Sequence, residues 1–423
     1  MFTRIEALNY RCLRDVSVPL SRFHVLVGPN ASGKTTFLDV IGFMRDLVTD
    51  DIDAALSKRT QNPEELLFRR SGERFELAVE AKIPQRLIDG LNSAKGSEFD
   101  TIRYELAIGF DETHRQFEFK AEQCLLMRNY GSRSPRRLKF PSSRLSRKSI
   151  LHVERQNSEK VILKKNPAGN DSFNDEFSKV PRKGWSPSFR LGSHKSALRF
   201  LPTDEEVAPI TLWFRQLLAT GIQPIMLNSI ALREPSQPSK ANGFLPDGSN
   251  LPWVIARFRQ ERPDAFQDWI AHLRTALPDL SDIESIEQPW NKFTYLVFHY
   301  ANNLAVPSWF VSDGTLRLVA LTLLAYLSDM EGVYLIEEPE NGIHPQAISV
   351  VCDSLSSVYD AQVLLATHSA IILNGVDAAQ VLCFAKNKDG STDIVAGDHH
   401  PNLTQWKGGV SLGTLFASGV LGQ

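Results

Sequence analysis

The sequence predicts an α/β protein with a mixed-sheet core, an antiparallel β-subdomain and an inserted helical subdomain. Three observations carry that expectation. Gly28-Pro29-Asn30-Ala31-Ser32-Gly33-Lys34-Thr35 fits the G-x-x-x-x-G-K-[ST] pattern of a phosphate-binding loop. Apolar runs at 23–27, 333–336 and 363–366 are separated by helix-forming stretches, as buried parallel strands are. Segments 75–83, 102–110 and 117–127 alternate apolar with polar residues, the pattern of antiparallel strands with one wet face.

Composition narrows the class. The chain has 423 residues and a net charge of −2, so any nucleic-acid surface must be a local patch. Cys12, Cys124, Cys352 and Cys383 are scattered without C-x-x-C spacing, which argues against zinc and against a disulfide framework. The opening MFTRIEALNY has no apolar signal core. The most apolar stretch, 316–327, contains Arg317 and is too short to span a bilayer. The expectation is a cytoplasmic protein with no direct membrane insertion.

Taken in order, 2–8, 16–20 and 23–27 read as strands leading into the glycine loop. Between the first two, Tyr10 and Arg11 either stack on an adenine ring or form an ordinary turn. Thr36 to Met44 continues as a helix with Phe37, Val40, Ile41 and Met44 on one side. Strand, glycine loop and helix is the order the motif requires. The loop's N–H groups and the helix N-terminus suit a phosphate. Lys34 would neutralise the β- and γ-phosphates, and the Thr35 hydroxyl would hold Mg²⁺. Segments 150–153 and 160–164 are expected to extend the β-layer. Residues 128–148 carry eight Lys or Arg and no acid, interleaved with Tyr130 and Phe140. This basic loop is a candidate for nucleic-acid phosphates, for a partner's acids, or simply for solvent. A helix is expected over 204–218 with Asp204 as cap. Residues 222–232 read as strand-like. Helices are expected up to Arg262, from a Ser249 or Asn250 cap, and over 265–277. No sustained heptads occur, so no long coiled coil is expected. The boundaries expected are 1–200, 201–300 for the helical insertion, and 301–423.

Four later pieces complete a pattern. Ser312-Asp313-Gly314 opens an apolar helix, again suiting an anion. Glu337 and Glu338 end an apolar strand: one carboxylate can hold a magnesium-bound water, and the next can polarise the attacking water. Pro339-Glu340-Asn341-Gly342-Ile343-His344-Pro345 turns into a new helix. His368 follows another strand and could touch a γ-phosphate. Ser312 to Glu338 is 26 residues and Glu338 to His368 is 30, room for one strand–helix unit each. Parallel neighbouring strands would bring all the motifs to one edge.

On these motifs the chain resembles a P-loop NTPase of the ABC-ATPase type, in the RecF/SMC/OLD group and near the AAA-21 and AAA-15 ATPases. Residues 28–35 match Walker A, and Thr36 continues it. VSDGT at 311–315 stands where the family has the signature LSGGQ. Glu337 falls at the Walker B aspartate, a departure in residue type, and Glu338 at the catalytic glutamate. EEPENGIHP resembles the OLD form, and His368 the switch histidine. A Q-loop glutamine is not placed; Gln61 is one option. The resemblance implies ATP and Mg²⁺ as cofactors. Glu338 and His368 would be catalytic, and Thr35 and Glu337 would bind metal. Residues 28–36, Arg11, Ser312 and Gly314 would bind nucleotide. It also implies an ATP-dependent homodimer in which one head's Walker A faces the other's signature. The expected role is gating a separate effector, such as a nuclease, in nucleic-acid processing or phage defence. A RecF-type repair ATPase or a transporter subunit is the alternative. A fused toprim nuclease is not expected after His368.

Overall fold

Phe23–Val27 is buried at all five positions, and the central sheet forms around it. The structure, a computed structural model, describes residues 1–92, 99–112, 115–128, 137–142, 146–152, 159–176, 188–203, 206–238, 243–327, 332–403, 406 and 409–421. The chain opens with β1 (Phe2–Tyr10), β2 (Leu13–Pro19), β3 (Phe23–Val27) and α1 (Lys34–Thr49). Next come α2 (Ile52–Ser57), β4 (Arg74–Lys82), α3 (Gln85–Asn92), β5 (Thr101–Asp111) and β6 (Gln116–Met127). Short strands β7 (Glu159–Lys164), β8 (Asp171–Phe173) and β9 (Ser188–Phe189) follow. All of these strands except β3 make one antiparallel sheet of eight, ordered β2-β1-β4-β5-β6-β7-β8-β9.

The middle of the chain holds α4 (Pro209–Thr220), β10 (Ile222–Ile225), α5 (Ser229–Arg233), α6 (Leu251–Glu261) and α7 (Pro263–Leu273). β11 (Leu280–Glu287), β12 (Thr294–Tyr300) and β13 (Ala305–Pro307) add a three-stranded antiparallel sheet. Pro209 and Pro263 each start a helix, where a missing N–H leaves nothing unsatisfied. Phe258, Phe266 and Trp269 interlock α6 with α7, with ring centroids 5.6–6.1 Å apart. Within 201–300, α6 and α7 pack beside this small sheet, whereas β10 lies in the central sheet. The 222–232 run is a strand only to Ile225, because Asn228 caps α5 by accepting from Ile230 N and Ala231 N. The helix expected from 204 begins at Pro209, and Asp204 lies outside the described residues.

The remaining elements are α8 (Asp313–Leu323), β14 (Gly332–Glu337), α9 (Pro345–Ser356) and β15 (Ala361–Ala366). Then come α10 (Ala370–Asn374), β16 (Val381–Lys386), β17 (Thr392–Ala396) and α11 (Leu412–Ala417). The central sheet runs β10-β14-β15-β3-β16-β17, parallel except for the last strand. Its side chains alternate between two cores. Leu26, Leu335, Leu364 and Phe384 face α1 and the eight-stranded sheet. Val25, Ile336, Leu365 and Cys383 face the helices α6 to α9. Burial on both faces explains why these strands read as continuous apolar runs. Each fully buried Leu, Ile or Phe contributes roughly 1.5–3 kcal/mol. Among the described residues no helix is long and apolar enough to cross a membrane.

One expectation fails here. The polar face of the eight-stranded sheet is not wet. Glu76, Glu80, Arg103 and Glu105 are all buried. Arg103 pairs with Glu6 at 2.7 Å, Glu80 at 2.8 Å and Glu105 at 2.5 Å. Residues 146–152 lie across that face as a strap rather than as the strand expected at 150–153; Val153 lies outside the described residues. Ile150 N donates to Glu76 at 2.7 Å and His152 N to Glu105 at 2.5 Å. Arg147 reaches Glu6 and Asp15, both at 2.8 Å. Leu8, Ala78 and Ile150 form a small apolar cluster under the strap. Pairing and backbone donors meet the desolvation cost that would otherwise keep these acids in water.

Candidate active site

The glycine loop leaves β3 and enters α1 with no side chain capping the helix. Gly33 is the N-cap residue in left-handed geometry (φ 100°), and no acid occupies the first turn. The first N–H groups of α1 therefore open onto a cleft of about 670 Å³. A side chain at Gly33 would collide with Thr392 Oγ1 and Cys12 Sγ, so the close approach also requires glycine. Thr392 braces the loop from β17, its Oγ1 donating to Ser32 O at 2.8 Å. Lys34 Nζ folds back to donate to Gly28 O at 2.8 Å and Pro29 O at 3.1 Å. Burial draws the Lys34 pKa down, against the pull of Glu338 and Glu337. Ser32 Oγ is buried without a hydrogen-bond partner among the described residues. A lysine, uncapped N–H groups and a spare hydroxyl around one cleft fit a polyphosphate.

The opposite wall comes from β14 and β15. Their register places Glu337 beside Ala366, and Ala366 beside Leu26 of β3. Three parallel strands thus end level, and the residues after each share one edge. Thr35 Oγ1 donates to Glu337 Oε2 at 2.5 Å. This hydroxyl–carboxylate pair is a hard-oxygen donor set that fits Mg²⁺. Glu338 follows with left-handed backbone (φ 49°), a strained conformation for a residue with a Cβ. Its N–H donates to Ala366 O at 2.8 Å, and Asn341 Nδ2 donates to its Oε2 at 2.6 Å. His368 is exposed into the cleft from the end of β15.

Ser312 and Gly314 do not line this cleft. Ser312 caps α8 by accepting from Thr315 N at 3.2 Å, and Asp313 pairs with Arg233 of α5 at 2.6 Å. A side chain on Gly314 would strike Gly342 O.

A family model described as "AAA domain, putative AbiEii toxin, Type IV TA system" matches residues 23–374, well over half of the chain. The chain belongs to this AAA_21 family. An OLD nuclease of Thermus scotoductus is 44% identical over 120 residues, 28% of this chain and 16% of that protein. The Old nuclease of Escherichia phage P2 is 31% identical over 90 residues, 18% of this chain. The matches thus span only 16% and 15% of the length of these curated relatives. Among solved structures, an SMC head bound to the C-terminal winged-helix domain of ScpA gives a TM-score of 0.51 at 12% identity. It covers 93% of this chain and 97% of that one, a likeness of fold. Family membership and fold thus agree: this is an AAA_21 chain with the fold of an SMC head.

Within this AAA_21 chain, residues 30–36, Arg11, Glu337, Glu338 and His368 all line one cleft. Gly28 and Pro29 do not line it; their carbonyls accept from Lys34 Nζ. Tyr10 cannot stack on a base. It is fully buried against Phe43, with ring centroids 5.9 Å apart, and donates to Asp39 at 2.5 Å. Gln61 does not line the cleft, whereas Cys12, Glu65, Leu67, Arg69 and Arg70 do. No motif marks those five. Arg69 and Arg70 get there by consecutive left-handed residues (φ 56° and 52°), which sequence does not announce. In the basic loop, Arg137 pairs with Asp393, and Arg147 with Glu6 and Asp15. Those two cations face this chain's own acids and are poor candidates for phosphate contacts. Arg133, Arg136 and Arg144 lie outside the described residues.

Proposed function

We propose that the protein binds ATP with Mg²⁺ in this cleft and hydrolyses it between two copies of the chain, gating a separate effector. The observation carrying this is the level ending of β3, β14 and β15, which gathers Lys34, Thr35, Glu337, Glu338 and His368 on one edge. Lys34 and the N–H groups of α1 bind the phosphate chain. Thr35 and Glu337 hold Mg²⁺, which would neutralise charge on the phosphates. Glu338, fixed by Asn341, orients the attacking water. His368 faces the terminal phosphate. Ser312 and Gly314 lie outside the cleft of their own chain, so in this reading they serve the nucleotide of a second copy. The OLD nuclease relatives support an effector acting on nucleic acid; a cytoplasmic setting and a part in phage defence complete this reading.

Glu338→Gln tests the chemistry. Removing the carboxylate leaves Lys34 and Thr35 in place. Nucleotide should bind with near wild-type affinity while turnover falls by about 10²-fold or more. Phosphate release at the wild-type rate in this variant would remove Glu338 from the mechanism.

A further inference from the structure

Glu340 is the second carboxylate after β14, and it does not line the cleft. Its Oε1 accepts from Thr367 Oγ1 at 2.7 Å and from the His368 backbone N–H at 2.9 Å. Thr367 Oγ1 also accepts from Ser369 N at 2.9 Å, and Thr367 N donates to Leu26 O at 3.1 Å. One carboxylate therefore grips the turn that carries His368, and that turn is tied in the same place to the end of β3. The imidazole of His368 is exposed, but its backbone is held from behind.

The turn that bears Glu340 makes two more contacts with the motifs. Asn341 donates to Glu338 Oε2 at 2.6 Å. Gly342 O sits where a side chain on Gly314 would be, so the N-terminus of α8 rests on it. Residues 340–342 thus touch Glu338, His368 and the Ser312–Gly314 corner together. The other oxygen, Oε2, is buried without a hydrogen-bond partner among the described residues. A buried, unpartnered carboxylate oxygen is a poor choice for stability alone. A carboxylate is a good choice for holding two donors at one point, because charge-assisted bonds are the stronger ones.

We propose that Glu340 is a positioning residue: it locks the His368 turn to the Glu338–Gly342 turn, so that both side chains keep a fixed placement about the terminal phosphate. This rests on the ATPase reading above. A misplacement of about 1 Å can lower a rate by about 10²-fold without touching substrate binding. Glu340→Ala should therefore lower kcat by about 10- to 100-fold and change KM for ATP-Mg by less than about 3-fold. Thr367→Val, which deletes one of the two donors, should lower kcat in the same direction. Thr367→Ser restores the hydroxyl and should recover most of the turnover. The double variant Glu340→Ala/Thr367→Val should be no slower than Glu340→Ala, since both remove one linkage.

The experiment is steady-state phosphate release, with nucleotide affinity and a thermal melt measured on each variant. Glu340→Leu, which keeps similar bulk but has no acceptor, stands in if the alanine variant does not fold. A folded Glu340 variant with wild-type kcat overturns the proposal. So does a Thr367→Ser variant as slow as Thr367→Val, because that marks a packing role. A wild-type protein that binds ATP-Mg without hydrolysing it overturns the ATPase reading itself, and the positioning role with it.

Discussion

His24 shows how burial sets the behaviour of a single residue beside the phosphate loop. It lies in β3, where its Nε2 accepts from Ser21 N at 2.8 Å and its Nδ1 meets Gln380 O at 3.1 Å. These partners suit only the neutral ring with its proton on Nδ1. Desolvation pushes the imidazole pKa from 6.5 down to about 4. Between those values the unfolded chain holds the extra proton, so stability is present above about pH 6.5 and drains away as the pH falls toward 4. By about pH 5 this one residue should have removed about 2 kcal/mol. Denaturant unfolding at about pH 7 and pH 5 measures it. His24→Gln should flatten the difference between the two conditions, even if it lowers stability at both. An unchanged pH dependence in the variant would show that His24 does not titrate in this window. Residues of this kind are half legible in sequence. A histidine in an apolar strand announces burial, but Gln380, 356 positions away, supplies the partner that fixes its tautomer.

At the scale of elements, the strap at 146–152 is where charge decides the packing. The buried face under it carries Glu6, Glu76, Glu80 and Glu105, answered by Arg103 inside and by Arg4, Arg74 and Arg147 at the margin. The Arg103 side chain is 2% exposed and the Arg147 side chain 40%. Replacing Arg103 by Leu takes the central cation from three buried carboxylates and should destabilise by about 3–5 kcal/mol. Replacing Arg147 by Ala should cost only about 1 kcal/mol, because water screens what remains. Equal losses in denaturant unfolding would contradict the assignment of Arg103 as the centre of the network. The strap also marks the limit of reading elements from sequence. The strands about the phosphate loop were legible because β3, β14 and β15 are buried on both faces and so have nearly continuous apolar runs. The strap has no period; it is ordered by carboxylates 47 to 141 positions away. The alternation in β4 and β5 pointed correctly to antiparallel strands but wrongly to solvent, because alternation records polarity and not what covers it. In the candidate site the same division holds. Lys34, Glu337, Glu338 and His368 were found by motif and by the level ending of parallel strands. Arg69 and Arg70 were missed because a pair of left-handed turns brings them in.

At the scale of the whole molecule, the two parts of the motif set are separated by the fold itself. Lys34, Thr35, Glu337, Glu338 and His368 open on one cleft, whereas Ser312 is exposed at the start of α8, outside it. Ser312 caps its own helix, Arg233 holds Asp313, and Arg317 of α8 donates to Leu227 O at 3.1 Å. These ties fix α8 against α5, and Gly314 is packed against Gly342. A rearrangement within one chain that carried Ser312 to Lys34 would have to break the ties to Arg233, Leu227 and Gly342. A second copy in two-fold symmetry could present the same corner without breaking any, since an isologous pair makes the contact twice. This gives the proposed shared site a direct test. Lys34→Ala removes the phosphate cation, and Ser312→Arg fills the anion-facing corner with bulk. Each homodimer then has two damaged sites. In a one-to-one mixture with free exchange, half of the dimers are mixed, and each mixed dimer has one site with both halves intact. Phosphate release by the mixture should then approach about one quarter of the wild-type rate, with either parent near background. Exchange is verified by differently tagged copies co-purifying in the presence of ATP-Mg. With exchange verified, a mixture no more active than its parents would mean that each chain completes its own site and that Ser312 serves some other purpose.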